Sequence, residues 1–322
     1  MAEAFIQANH LKKYFKTPRG MLHAVDDVTL SIPKGKTLGI VGESGCGKST
    51  LGRLMLNLLE PTSGEMLLDG QNIYKLRSSQ MKKMRTRAQM IFQDPYSSLN
   101  PRMSVSEIIA EPIIANDLIK NRQDIQKRVE ELMDTVGLAQ RFINAYPHEL
   151  DGGRRQRIGV ARALAVNPEF IVCDEPVSAL DVSIQAQILN LMMDLQDELG
   201  LTYVFITHDL SVVKHISDEI AVMYLGQCVE RVPSKELFQN PLHPYTKALL
   251  SAIPIPDLST RGRKKHPVLI RRTESIPSST WKRAAYIRAI QAHGKRTLCF
   301  PASAELTAVR LAMRSPVRRK PL

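Results

Sequence analysis

The sequence has little of what would place it outside the cell or inside a membrane. Its four cysteines, Cys46, Cys173, Cys228 and Cys299, lie far apart and form no CxxC pair, which argues against a disulfide framework or a zinc site and fits reduced thiols. No run approaches the ~18 to 20 uninterrupted apolar residues of a membrane span, and the opening MAEAFIQANHLKKYFK lacks the apolar stretch of a signal peptide. We therefore expect a cytoplasmic chain. No internal repeat is visible, and 322 residues leave no easy room for a tandem duplication of a large domain. Acidic residues are scarce in the last part of the chain. Of 44 Lys and Arg and 32 Asp and Glu, residues 261–322 hold 16 basic residues against Glu274 and Glu305, so this tail carries +14 of a formal +12, and the remainder is −2. The overall pI of about 9.6 would suggest nucleic acid or anionic lipid as a partner. That inference concerns the tail, since the main body is nearly neutral. A hydrophobic content of 43% is enough for a real core and excludes disorder throughout.

The apolar pattern organises the chain. MLHAVDDVTLSI alternates with period two, and Pro33-Lys34-Gly35 follows as a turn, so the first 40 residues predict antiparallel strands. TLGIVG is a continuous apolar run, as in a strand buried on both faces; it feeds a glycine loop and the helical LGRLMLNLL. SVSEIIAEPII and RQDIQKRVEELMDTVGL have helical spacing and lie between two strand-like segments, QMIFQ and FIVCDE. The amphipathic IQAQILNLMMDLQDELG then precedes the strand-like YVFIT and EIAVMYLG. Strands alternating with helices predict an α/β fold with a parallel sheet and a core ending near residue 235.

Two motifs carry chemistry within that pattern. Gly42-Glu43-Ser44-Gly45-Cys46-Gly47-Lys48-Ser49 fits GxxxxGK[ST] between a buried strand and a helix, and Thr50 follows it. Such a loop wraps phosphates with backbone N–H groups from Gly42 to Thr50, uses Lys48 on β and γ oxygens, and offers the Ser49 hydroxyl to Mg²⁺. In FIVCDEP two adjacent carboxylates end a strand at the edge where ligands bind. Adjacent strand residues point to opposite faces, so Asp174 is expected to face Mg²⁺ while Glu175 faces an attacking water as general base. A DE pair alone is more often a solvated strand end; after a phosphate loop the functional reading wins.

HELDGGRRQRIGVARAL, with Gly152 and Gly153 before a basic helix, makes the chain resemble the ABC-transporter ATPases over residues 5 to about 258. Gln93 in IFQDPYSSLNP matches the family's Q-loop, Ser178-Ala179-Leu180-Asp181 its D-loop, and His208 in VFITHDL its switch histidine. The resemblance implies a P-loop NTPase with an antiparallel β subdomain and a helical subdomain over about 95–165, inside an ATPase domain spanning 1–235. It implies ATP and Mg²⁺ as ligands and a dimer that holds each ATP between one phosphate loop and the facing glycine signature. In that scheme Glu175 orients water, His208 stabilises charge on the γ-phosphate, and Gln93 senses Mg²⁺ beside Ser49 and Asp174. Asp181 communicates across the dimer. Phe15, with Tyr14 as the other candidate, falls where the family stacks an aromatic on adenine. The signature itself departs from the family's LSGGQ, reading Leu150-Asp151-Gly152-Gly153-Arg154. Asp151 either repels an opposing phosphate, by at least ~1 kcal/mol at ~3 to 4 Å, or simply caps the next helix. Arg154 offsets part of the repulsion. The first alternative implies pairing with a second, different ATPase subunit.

A single ATPase domain without a span resembles importer architecture. VPSKELFQNPLHPYTKALLSAIPIPD, in a segment we place at 236–260, resembles the extension of the oligopeptide, dipeptide and nickel importer ATPases. That branch implies ATP-driven peptide import at the cytoplasmic face of the cell membrane, with two membrane permease subunits and an extracytoplasmic substrate-binding protein as partners. Nickel remains an alternative cargo. A soluble ABC ATPase acting on nucleic acid or ribosomes is the other alternative; confinement of basic charge to 261–322 speaks against it, so no specific nucleic acid is expected. The branch usually continues into a GC-x-F-x-x-RC segment, which this sequence lacks, so no iron–sulfur cluster is expected. The abrupt basic tail is expected to be poorly ordered and is read as a shifted reading frame, with an adaptive tail or an interaction arm as alternatives.

Overall fold

The N-terminal alternation becomes a hairpin. In the computed structural model, which describes residues 4–252 except Arg19, strand β1 (Ala4–Thr17) pairs antiparallel with β2 (Gly20–Pro33). Their inward positions, among them Ile6, Leu11, Val25 and Val28, are fully buried. With β4 (Ser63–Leu68) and β5 (Gln71–Asn72) they form a four-stranded antiparallel sheet in the order β2-β1-β4-β5.

The continuous apolar runs build the other sheet. β3 (Thr37–Val41) is buried along its whole length and lies between β9 (Glu219–Tyr224) and β8 (Thr202–Thr207), both parallel to it. β7 (Phe170–Asp174) and β6 (Ala88–Ile91) extend the parallel set, and β10 (Gln227–Pro233) closes the far edge antiparallel, giving the order β10-β9-β3-β8-β7-β6. Strands buried on both faces need helices above and below. Helix α1 (Lys48–Met55) leaves the glycine loop and packs Leu51, Leu54 and Met55 between the two sheets. It stops short of the apolar LNLL run, because Asn57 enters the left-handed region at φ 51° and turns the chain.

Between β6 and β7 the chain departs into helices, as the spacing predicts. After α2 (Ser78–Arg87) and β6 come α3 (Pro95–Ser98), α4 (Val105–Ala115), α5 (Arg122–Thr135) and α6 (Gly152–Leu164). Ile109 and Ile113 of α4, Met133 of α5 and Ile158 of α6 share a buried cluster that runs on into Ile171, Cys173 and Phe205 of the parallel sheet. The insertion is thus continuous with the core. Helices α7 (Val182–Leu199) and α8 (Leu210–Ile216) make the crossovers between parallel strands. After β10, α9 (Ser234–Gln239) and α10 (Pro244–Ser251) pack back on β9 and β10, burying Leu237 and Tyr245 with Val222 and Val232. The readings made for the rest of the extension and for the basic tail lie outside the described residues.

One ionic cluster ties the start of the edge strand to the sheet. Glu169, directly before β7, accepts from Arg87 Nε at 2.5 Å and Lys34 Nζ at 2.9 Å, and Arg87 also reaches Asp69 at 2.9 Å. The Glu169 N–H donates to the Arg87 carbonyl at 2.8 Å. The hydrogen bond from Arg87 holds the Glu169 carboxyl below its ordinary value of 4.5, against the opposing effect of burial. A carboxyl depressed in the folded state stabilises above its unfolded pKa and loses that contribution as pH falls through the folded value. Thermal stability is therefore expected to fall as the pH drops below about 4.5, and Glu169→Gln should remove this part of the pH dependence. Parallel melting curves of the two proteins from pH 6 to about 3 check this; unchanged dependence in the variant would contradict it.

Candidate active site

The turn from β3 into α1 is possible only because of its glycines. Gly42 at φ 154° and Gly47 at φ 105° adopt backbone conformations that side chains rarely tolerate. A Cβ on Gly42 would collide with the Met223 carbonyl of β9, and one on Gly47 with the Ala24 carbonyl of β2. The loop is therefore seated directly on backbone from both sheets. Lys48 begins α1 at 5% exposure, its Nζ donating to the carbonyls of Gly42 at 2.8 Å and Glu43 at 2.9 Å. Cys46 is buried beneath the loop, 4.0 Å from Lys48 Nζ, and burial pushes its thiol pKa up. Ser44, Gly45, Gly47, Lys48, Ser49 and Thr50 line an open cleft of ≈ 570 Å³.

The two carboxylates of β7 part company at the strand's end. Asp174 is 3% exposed and accepts from Ser49 Oγ at 2.7 Å. Burial pushes its carboxyl above the ordinary 3.8, although the Ser49 hydrogen bond and the charges of Arg53 and Lys48 pull it down. Glu175 is turned away by more than strand alternation: it has left the strand at φ 48°, a left-handed conformation uncommon outside glycine. Its N–H is held by the Ile206 carbonyl at 2.8 Å. Its carboxylate accepts from Gln93 Nε2 at 2.9 Å on one oxygen and stands 3.2 Å from His208 Nδ1 on the other. Gln93 lies just past β6 and His208 just past β8, so three neighbouring parallel strands deliver these side chains to one edge.

Of the two aromatic candidates, the structure places Phe15 in the cleft. Tyr14 is committed elsewhere, donating to Asp26 at 2.5 Å and stacking on His23 at 3.9 Å. The hydrogen bond to Asp26 pushes its pKa up to about 12. Leu22, His23, Ala24, Leu225 and Gly226 also line the cleft. No local motif marks them. Gly226 arrives from the β9–β10 turn, accepting from Asp26 N–H at 2.8 Å and donating to the Cys46 carbonyl at 2.9 Å, which joins the β1–β2 hairpin to the loop.

The remaining expected residues lie outside this cleft. Asp151 caps α6, accepting from the Arg154 N–H at 2.8 Å, and pairs with the Arg154 guanidinium at 2.6 Å. Its helix-capping alternative is therefore realised, with the charge partnered. Gly152 packs on Leu180, and a Cβ on Gly153 would meet Ile184 at 2.7 Å. Asp181 caps α7, accepting from the Ile184 N–H at 3.0 Å, so the glycine signature and the D-loop are in direct contact.

Residues 25–178 match the family described as ABC transporter, and residues 229–277 that described as Oligopeptide/dipeptide transporter, C-terminal region. The second match runs past residue 261, where the composition changes, into residues outside those described. The chain is 59% identical over 258 residues to the oligopeptide transport ATP-binding protein OppF of Bacillus subtilis (strain 168), covering 80% of this chain and 85% of that protein. It is 46% identical over 319 aligned positions to the dipeptide transport ATP-binding protein DppF of Haemophilus influenzae, covering 92% and 96%. Among solved structures, the dimeric post-hydrolysis ATP-binding cassette MJ0796 bound to ADP and Pi is 30% identical with a TM-score of 0.66, covering 71% of this chain and 98% of that one. By sheet order, by the phosphate loop between β3 and α1, and by these likenesses, the chain belongs to the ABC-transporter ATPases.

Proposed function

We propose that this ATPase energises the import of peptides through separate membrane permease subunits, working as a peripheral subunit at the cytoplasmic face of the membrane. The observation that carries the hydrolytic part is the Glu175 carboxylate held between Gln93 and His208 at the mouth of the phosphate loop. The match of residues 229–277 to a peptide-transporter region, together with relatives named for oligopeptide and dipeptide transport, supports the cargo class.

The residues divide the work. Loop amides and Lys48 hold the phosphates of ATP, while Phe15 offers a ring for the base. Ser49 Oγ and the Asp174 carboxylate, hard oxygen donors 2.7 Å apart, fit a magnesium ion, with the Gln93 side-chain oxygen as a third donor. When bound, Mg²⁺ neutralises charge on the β and γ phosphates. Glu175 orients the attacking water and accepts its proton, and His208 donates toward the γ-phosphate. The left-handed backbone at Glu175 aims that carboxylate at the cleft instead of along the strand. Gln93 joins the same site to the helices, since Asp94 beside it caps α3 at Tyr96 and Arg162 of α6 donates to the Ser98 carbonyl at 2.7 Å.

The signature supports a heteromeric pair. Both Asp151 oxygens are engaged by Arg154, and a carboxylate has no proton to give a phosphate on a facing subunit. In the arrangement we propose, a second, different ATPase subunit supplies an intact signature to this chain's loop and Glu175, and Asp151 faces a weaker site on that subunit. An extracytoplasmic substrate-binding protein delivers cargo to the complex.

Glu175→Gln is expected to lower Mg-ATP turnover by about 100-fold or more while ATP binding persists; steady-state hydrolysis by the assembled complex, beside equilibrium binding to the purified chain, measures both. Turnover surviving in that variant would contradict the assignment. Uptake of a labelled oligopeptide should be lost in cells whose copy carries Glu175→Gln, and uptake of nickel should not; the reverse result would replace the cargo. Asp151→Ser is expected to raise ATP affinity or turnover of the complex with little thermal cost, because serine also caps helices. If neither affinity nor turnover moves, the asymmetric pairing is wrong.

A further inference from the structure

The residue that completes the phosphate loop comes from the C-terminal extension. Tyr245 on α10 is 4% exposed, and its ring lies on Tyr224 of β9 with centroids 4.4 Å apart. Its Oη accepts the N–H of Glu43, the second residue of the loop, at 2.9 Å. That N–H and the Gly42 carbonyl belong to one peptide unit, and the carbonyl end accepts Lys48 Nζ at 2.8 Å. The Gly42–Glu43 peptide is thus clamped at both ends, by Tyr245 on one side and by the phosphate-binding lysine on the other. Gly42, at φ 154°, has no side chain to restrict the rotation of this peptide, so the clamp supplies what sterics do not.

Tyr245 is itself fixed by a buried carboxylate. Glu230 of β10 is 0% exposed and accepts from the N–H groups of Leu242 at 2.8 Å and His243 at 2.9 Å and from Thr246 Oγ1 at 2.6 Å. A buried carboxylate is tolerated only when donors saturate it, and these three all lie on the segment around Tyr245. His243 adds the helix cap, its Nδ1 accepting from the Tyr245 N–H at 3.1 Å. Each polar side chain from residue 243 to 246 therefore serves to hold one tyrosine against the loop.

We propose that Tyr245 is a positioning residue for phosphate binding, setting the Gly42–Glu43 peptide that seats Lys48, and that the C-terminal extension is thereby a working part of the nucleotide site. The proposal rests on the reading that the loop binds ATP, and it deepens that reading. Removing one hydroxyl leaves the ring's packing in place and deletes only the hydrogen bond to Glu43.

The test uses the full chain with trinitrophenyl-ATP as probe, displaced by ATP, ADP or adenosine, with Lys48→Ala as reference. Tyr245→Phe is expected to weaken ATP and ADP binding about 3- to 10-fold and to leave adenosine unchanged. In the assembled complex it should raise KM for ATP and leave kcat within about twofold. Unchanged ATP affinity, or equal losses for ATP and adenosine, would overturn the proposal. Should the variant fail to fold, amide exchange in the wild-type chain decides: a protected Glu43 N–H is expected, and exchange at the rate of an open loop amide overturns the idea. A wild-type chain that does not bind trinitrophenyl-ATP refutes the ATP reading itself, independently of Tyr245.

Discussion

The structure depends on seating one buried ammonium against backbone carbonyls. Lys48 has given up most of its hydration, and a cation so placed costs several kcal/mol unless nearby dipoles replace the lost water. The carbonyls of Gly42 and Glu43 do so, but only because the loop folds back over the first turn of α1. That fold-back brings Gly47 against the Ala24 carbonyl and Gly42 against the Met223 carbonyl, so the antiparallel hairpin and the central strands must both be in register for the lysine to sit there. Gly52 continues the demand: a Cβ there would meet Ile206 and Val172 at 2.8 and 2.9 Å, so α1 lies this close to β7 and β8 only without one. One charge placement thus constrains strand order, helix approach and hairpin position together.

The chemistry follows from the same sheet edge. β7, β8 and β6 are neighbours, and the residues just past their C-terminal ends are Glu175, His208 and Gln93. Their separation in sequence, 82 residues for the Gln93–Glu175 pair, disappears because parallel pairing puts all three strand ends at one level. The carboxylate of Glu175 accepts from the neutral Gln93 amide and lies 3.2 Å from His208 Nδ1, with no Lys or Arg paired to it among the described residues, which suits the general-base role proposed for it.

What could be read from the sequence was what is local. The phosphate loop needs glycines and a lysine at fixed offsets between a buried strand and a helix, and all of these are contiguous. Asp174 and Glu175 were readable as a pair, although the reason their side chains diverge, the left-handed turn at Glu175, was not. Phe15 is favoured over Tyr14 in sequence only by the family resemblance, because a bulge in the β1–β2 register lies between Lys13 and Tyr14 and changes which face each residue takes. Gly226 and Tyr245 carry no motif for the loop they touch. Their contacts are made by residues about 180 to 200 positions apart, and nothing in a linear pattern encodes which turn will meet which loop.

The junction of α6 and α7 shows why Asp151 is tolerated in the fold whatever it does in an assembly. Gly152 and Gly153 must stay bare because Leu180 and Ile184 press on them, so helix α6 begins in contact with the start of α7. Two helix N-termini meet there, each with unsatisfied N–H groups and positive dipole ends, and each is capped by an aspartate, Asp151 on α6 and Asp181 on α7. A serine at 151 would cap as well, so stability does not select the carboxylate over the hydroxyl. What the carboxylate adds is the bond to the Arg154 guanidinium, which in turn lies 4.8 Å from the Phe142 ring. The arginine is therefore drawn back onto its own helical insertion, and in the asymmetric pair proposed above a facing phosphate would meet a neutralised pair where a hydroxyl donor would otherwise stand. The consequence of Asp151 belongs to the surface it presents and not to the fold beneath it.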